Sequence, residues 1–142
     1  MKTILAKTQQ HFVDALSIRI AVFIGEQSVP ISEEIDEDDR FVPIFVIYEN
    51  DQALGTARVL TKEKGIYKIG RVAVRKEARG QGVGKQLMLD VMDYIKEQKL
   101  AKEIRLDAQV SALPFYEGLG FQAYGEVFQD AGIDHIAMVY HL

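Results

Sequence analysis

Six residues, Arg79-Gly80-Gln81-Gly82-Val83-Gly84, carry the sharpest chemical signal in this chain of 142 residues. Three glycines let a backbone approach a ligand closely, with no Cβ in the way. A helical pattern follows them, and the first amides of a helix have no partner within it and sit at its positive end. A glycine turn feeding a helix N-terminus therefore suits a diphosphate. Lys85, Lys76 and Arg75 add positive charge nearby. Taken alone, the turn reads equally as a tight strand-to-helix connection. Two other nucleotide loops do not fit. A P-loop ends in Gly-Lys-Ser/Thr, and here Gln86 follows Lys85. A dinucleotide fold places this turn after the first strand of a parallel sheet, whereas here it follows several strands joined by short turns.

The remaining chemistry-bearing residues narrow the field. Cysteine is absent, which removes disulfides, thiolate metal sites and a cysteine nucleophile. His11, His135 and His141 are scattered without metal-ligand spacing, so no metal is expected. Tyr116 is a candidate acid, although on its own it reads as a core tyrosine of a short helix. A run of carboxylates, Glu33, Glu34, Asp36, Glu37, Asp38 and Asp39, has no cation within it. It reads either as a solvated surface loop or as an attractor of ammonium groups that would repel a phosphorylated ligand. The net charge of −4 argues against nucleic acid, which requires a basic face.

These groups need a scaffold. The length fits one domain, residues 1–142, with 48% hydrophobic residues to build its core. No apolar run approaches the roughly 20 residues of a membrane span. The first twenty residues lack a signal-peptide design, so a cytoplasmic chain is expected. Residues 2–7 read as a strand. Phe12, Ala15, Leu16, Arg19, Val22 and Phe23 recur at helical spacing, predicting a helix over 9–25 capped by Thr8. Residues 28–39 read as a loop with one helical turn after Ser32. Three strands follow at 43–49, 53–61 and 66–74, joined by short turns as an antiparallel meander. Leu87, Val91, Tyr94 and Ile95 predict a helix from Gly82 to Gln98. A strand at 103–108, a short helix from Pro114 to Gly120, and strands at 121–128 and 135–141 complete the order β-α-β-β-β-α-β-α-β-β.

An apolar strand ending in Val72-Ala73-Val74, then a charged loop, then R-x-x-G-x-G and an amphipathic helix resembles the acetyl-CoA-binding motif of the GNAT N-acetyltransferase superfamily, with Arg79, Gly82 and Gly84 at its fixed positions. Ala112-Leu113-Pro114-Phe115-Tyr116-Glu117-Gly118-Leu119-Gly120-Phe121 resembles the second signature of that family, A-x-x-x-Y-x-x-x-G-F. Both occur in the right order, which is far more specific than either alone. The family often has Asn where this chain has Gln109. The segments around Arg19–Asp36 and Phe128–Met138 resemble a small bacterial YjcF/ElaA-like branch, so the likeness spans nearly the whole chain; Asp134 stands where that branch usually has Pro.

The resemblance implies a GNAT acyl-CoA N-acyltransferase fold of the α/β (α+β) class, with a mixed, mostly antiparallel central sheet flanked by helices. It implies acetyl-CoA as co-substrate and transfer of its acetyl group to a primary amine of a small acceptor by direct attack in a ternary complex. The cofactor would lie against Val72, Ala73 and Val74, the turn Arg79, Gly80, Gln81, Gly82, Val83, Gly84 with Lys85, and Gln109, Phe115 and Tyr116. The Val72 amide would polarise the acetyl carbonyl, and Tyr116 would protonate the departing thiolate. The base is left open among Glu26, Glu33, Glu34, Asp36, His135 and a water chain, with Glu34 and His135 preferred. Glu26, Glu34, Asp36 and His135 are the expected acceptor-side residues. A homodimer is compatible with the sequence. The alternative is a non-catalytic acyl-CoA-binding regulatory module, from which the presence of Tyr116 tilts the reading toward an enzyme.

Overall fold

The structure, a computed structural model, describes residues 1–40 and 42–142, with Arg40 described by its backbone alone. The described residues form seven strands in one sheet. The strands are β1 (Lys2–Leu5), β2 (Ile44–Glu49), β3 (Gln52–Glu63), β4 (Ile66–Val74), β5 (Glu103–Gln109), β6 (Gln122–Asp130) and β7 (Ile133–His141). Their order across the sheet is β1-β2-β3-β4-β5-β7-β6. Only β4 and β5 run parallel among the described pairings. A parallel step needs a crossover, and α3 (Val83–Lys96) is that crossover. No helix of the described residues is long and apolar enough to cross a membrane.

Both faces of the sheet are covered at its centre. Leu87, Met88, Val91, Met92 and Ile95 of α3 are buried against Phe45, Ile47, Val59, Ile69 and Ile104. On the other face, Ala15, Ile18 and Val22 pack on Ile44, Val46 and Ala73. This explains the unbroken apolar run of β2, whose side chains meet a helix on either side. Burying each such aliphatic side chain stabilises the fold by about 1.5–3 kcal/mol.

The first helical segment differs from the expected 9–25. The α-helix α1 (Gln9–Arg19) stops early, and residues Ile20–Glu26 continue as a π-helix. Its i→i+5 hydrogen bond from the Gln27 amide to the Val22 carbonyl is the mark of that form. Thr8 caps α1 as expected, and His11 bonds back to the cap amide. The stretch expected as a loop with one helical turn holds α2 (Ile31–Glu34) and a 3-10 turn at Glu37–Arg40. A short helix α4 (Leu113–Gly118) precedes β6. The last two strands run two residues further into their turn than the pattern suggested, closing around Ala131 and Gly132, both at positive φ.

Two irregularities shape β4. Its pairing with β5 ends at Lys68↔Arg105, so residues 69–74 diverge from β5. On its other edge, Thr56 opposes Ala73 and Arg58 opposes Gly70, leaving Arg71 and Val72 opposite Ala57 in a bulge. Arg71 sits there at φ 51°, a left-handed conformation that costs a non-glycine residue about 1–3 kcal/mol.

Candidate active site

The divergence of β4 from β5 opens a cavity of about 440 Å³. Its walls include Val72, Ala73 and Val74 on one arm, Asp107 and Gln109 on the other, and Tyr116, His135, Glu34 and Asp36 around them. Beyond Lys68, β4 has a neighbour on one edge only. Part of its backbone amides and carbonyls therefore faces the gap. One cavity thus gathers the end of the motif strand, the tyrosine of the second motif and His135 of β7.

The glycine turn runs out of this cavity from Arg79. Gly80 and Gly82 adopt φ +75° and +80°, which an L side chain rarely tolerates. A Cβ at either position would meet nothing within 4 Å, so the turn presents an open cradle. The first hydrogen bond of α3 runs from the Gln86 amide to the Gly82 carbonyl, so the amides of Val83, Gly84 and Lys85 precede the helical ladder. The side chain of Val83 is in the core at 2% exposure, which leaves only its backbone for any ligand. Lys85 and Gln81 are exposed, and Gln81 donates to the Glu77 carbonyl. Open glycines, unbonded amides and flanking cations fit a diphosphate. Phe115 joins the two motifs, since its ring lies 3.5 Å from where a Cβ on Gly84 would stand. Phe115 and Tyr116 meet edge to face at 5.0 Å.

Tyr116 is half-buried, and desolvation pushes its hydroxyl up to about 12. It therefore stays protonated at neutral pH and is able to donate a proton. The imidazole of His135 is fixed on one side: Nδ1 lies 2.7 Å from the Ile133 carbonyl oxygen. A carbonyl only accepts, so Nδ1 carries the hydrogen and Nε2 of the neutral ring is left as the acceptor. Phe128 stacks on the ring at 5.9 Å.

The acidic residues behave differently from the expectation. The loop that carries no cation of its own meets Arg19, Arg58 and Arg71 from neighbouring elements. Glu34 is 2% exposed, with Oε1 at 2.7 Å from Arg19 Nε and Oε2 at 3.2 Å from Arg71 Nε. Burial pushes its carboxyl up, against the pull of both arginines. Asp36 takes both ends of the Arg58 fork, at 2.7 and 2.9 Å, and that hydrogen bonding holds it down at about 2. Asp39 bridges Arg19 and Arg58, and Asp38 holds Lys62. The loop is therefore not a free carboxylate cluster. Glu34 and Asp36, expected on the acceptor side, both line the cavity, with their oxygens paired to arginines. Glu26, also expected on the acceptor side, is not among the described cavity walls and forms a two-pronged pair with Arg79, at 2.8 Å for each nitrogen. Arg79, first through its hydrogen bond, holds that carboxyl below the usual range.

Three residues of the site escaped the sequence. Arg58 and Arg71 lie in the middle of β3 and β4 with mainly apolar neighbours, and two mid-strand arginines in a chain with a six-carboxylate loop were the available signal. Gln27 gave none; its amide pairs with that of Gln109, which donates to Gln27 Oε1 at 2.9 Å. Among the described residues, no group of three or more His, Asp or Glu side chains is arranged to hold a metal ion.

The family model described as an acetyltransferase (GNAT) domain matches residues 7–142. YjcF of Bacillus subtilis, an uncharacterized N-acetyltransferase, is 35% identical over 140 residues, covering 98% of this chain and 99% of YjcF. The crystal structure of Escherichia coli ElaA is 30% identical and superimposes with a TM-score of 0.88, covering 98% of this chain and 99% of ElaA. A Bacillus subtilis acetyltransferase in complex with CoA shares the fold at a TM-score of 0.70 and 20% identity, with 99% and 98% of the two chains covered. With the divergent β4–β5 pair, the glycine turn before α3 and the tyrosine of α4 all in one place, the chain belongs to the GNAT family and is an acyltransferase.

Proposed function

We propose that this protein transfers the acetyl group of acetyl-CoA to a primary amine of a small acceptor, by direct attack with both substrates bound. The coenzyme supplies a thioester, whose carbonyl carbon accepts the amine and whose sulfur leaves as thiolate. The glycine turn and the first amides of α3 bind its diphosphate, and Val72 and Val74 line its acyl end. The Val72 amide offers a hydrogen bond to the carbonyl oxygen as charge develops on it; losing such a donor typically costs about 10²–10³ in rate.

His135 is the base. It takes the proton of the attacking amine on Nε2, while Nδ1 stays bonded to the Ile133 carbonyl. Glu34 is set aside because Arg19 and Arg71 occupy its oxygens. Tyr116 returns a proton to the sulfur, since a phenol held protonated matches a thiolate whose conjugate acid lies near ~8.5. The observation that carries the reading is that Val72, Tyr116 and a tautomer-fixed His135 line one cavity beside the glycine turn. The test is His135→Asn, which keeps a donor for the Ile133 carbonyl and removes the base. kcat should fall by about 10²–10⁴ with acetyl-CoA affinity unchanged. An unchanged kcat would rule out His135 as the base.

A further inference from the structure

One dipeptide ties the two arms of the cleft together. Glu26 ends the π-helix and grips Arg79, which follows the β4 arm; Gln27 pairs with Gln109 at the end of the β5 arm. Arg79 also donates Nε to the Val74 carbonyl, so its fork is fixed at the mouth of the glycine turn. A carboxylate filling an arginine fork through both oxygens takes the same face that two phosphate oxygens would take. The pair is solvent-exposed, and exposed ion pairs are weak enough to be exchanged. The segment has other anchors. The Gln27–Gln109 amide pair holds its side chain, Gln27 bonds back to Val22, and the Val29 amide bonds to the Phe23 carbonyl. Glu26 is therefore free to change partner by side-chain rotation alone.

We propose that Glu26 is a built-in competitor of the coenzyme diphosphate for Arg79, with Gln27 as the positioning residue that keeps the segment seated when Glu26 gives way. The inference rests on the reading that the diphosphate binds at residues 79–84. Binding at the turn then carries a penalty set by Glu26, and Arg79 passes from carboxylate to phosphate. The device discriminates: an acyl thioester lacking the diphosphate does not challenge Glu26 and gains nothing from Arg79.

The test is calorimetric titration of wild type, Glu26→Gln and Gly84→Asp with acetyl-CoA and with acetylpantetheine, which has no diphosphate. Gly84 is the choice in the turn because its φ is not positive and a Cβ there meets only ordinary contacts, and the test reads folded protein. Glu26→Gln should bind acetyl-CoA about two- to fivefold tighter at low salt, with the gain shrinking as salt rises and no change for acetylpantetheine. Weaker or equal acetyl-CoA binding by folded Glu26→Gln, while Gly84→Asp abolishes it, would overturn the competitor role and leave the diphosphate site standing. Unchanged binding by folded Gly84→Asp would remove both.

Discussion

The Nε of Arg71 lies 3.2 Å from Glu34 Oε2 and donates at 3.2 Å to the Glu34 backbone oxygen. Arg71 reaches this place because the bulge in β4 turns its backbone left-handed. The strained residue of the motif strand is thus the one that fastens the acidic loop to it, and the backbone strain is offset by a set of charge-assisted hydrogen bonds. Its Nη2 donates to the Glu33 carbonyl at 3.1 Å and to Asp36 Oδ2 at 3.3 Å, which extends the clamp along α2 and beyond it.

Arg71→Ala should therefore loosen the cavity wall that carries Glu34 and Asp36 and, on the proposed function, weaken the amine while sparing the diphosphate turn. Steady-state kinetics should show KM for the amine rising several-fold while acetyl-CoA affinity, read by calorimetry, stays put. A variant with equal losses on both substrates would place Arg71 in general stability and not in amine binding.

The same network predicts an acid limit to stability. Asp36 is held at about 2 by Arg58, below its ordinary 3.8. A lowered carboxylate contributes stability above the unfolded value, lost as pH falls from about 4 toward 2. Asp39 is also lowered: burial pushes it up, but Arg19, the Asp36 amide and Arg58 together pull it further down. Glu34 is raised, so it works in the opposite sense: its relative contribution is full at low pH and lost as pH rises. Denaturant melts at pH 6 and 2.5 should differ by on the order of 1–2 kcal/mol from Asp36, after allowing for screening at a partly exposed group. In Asp36→Asn that part of the difference should vanish; a full difference in the variant would assign the acid loss elsewhere.

Tyr116→Phe keeps the ring and its contacts with Phe115 and Phe121, at 5.0 and 6.3 Å, and removes the proton. kcat and kcat/KM should fall together, by about 10²–10⁴, with calorimetric acetyl-CoA affinity nearly intact. A change confined to KM would make Tyr116 a binding residue.

Much of this was legible before the fold. The meander, α3 and the glycine turn follow from period and punctuation, because each is a local pattern with one dominant solution. The partners of the charges were not. Whether the carboxylates of 33–39 face water or arginines depends on Arg58 and Arg71, which arrive from strands 19 to 38 residues away in sequence. Gly70 inside β4 is the sequence sign of a bulge, but it does not say that the next residue, Arg71, takes the left-handed conformation and is aimed at the acidic loop. Glu26, next after the first helix, reads from the sequence as an acceptor-side residue, and nothing local names its partner. The π-helical continuation carries it instead onto Arg79.

The central claim is amine acetylation, and the most direct measurement follows both products at once. Incubation of the protein with acetyl-CoA and a panel of primary amines, with free CoA thiol and N-acetylated amine quantified together, should show the two appearing in equal amounts for at least one amine. In Tyr116→Phe both should fall in step. Thiol release with no acetylated amine, or tight acetyl-CoA binding with no turnover across the panel, would contradict the account.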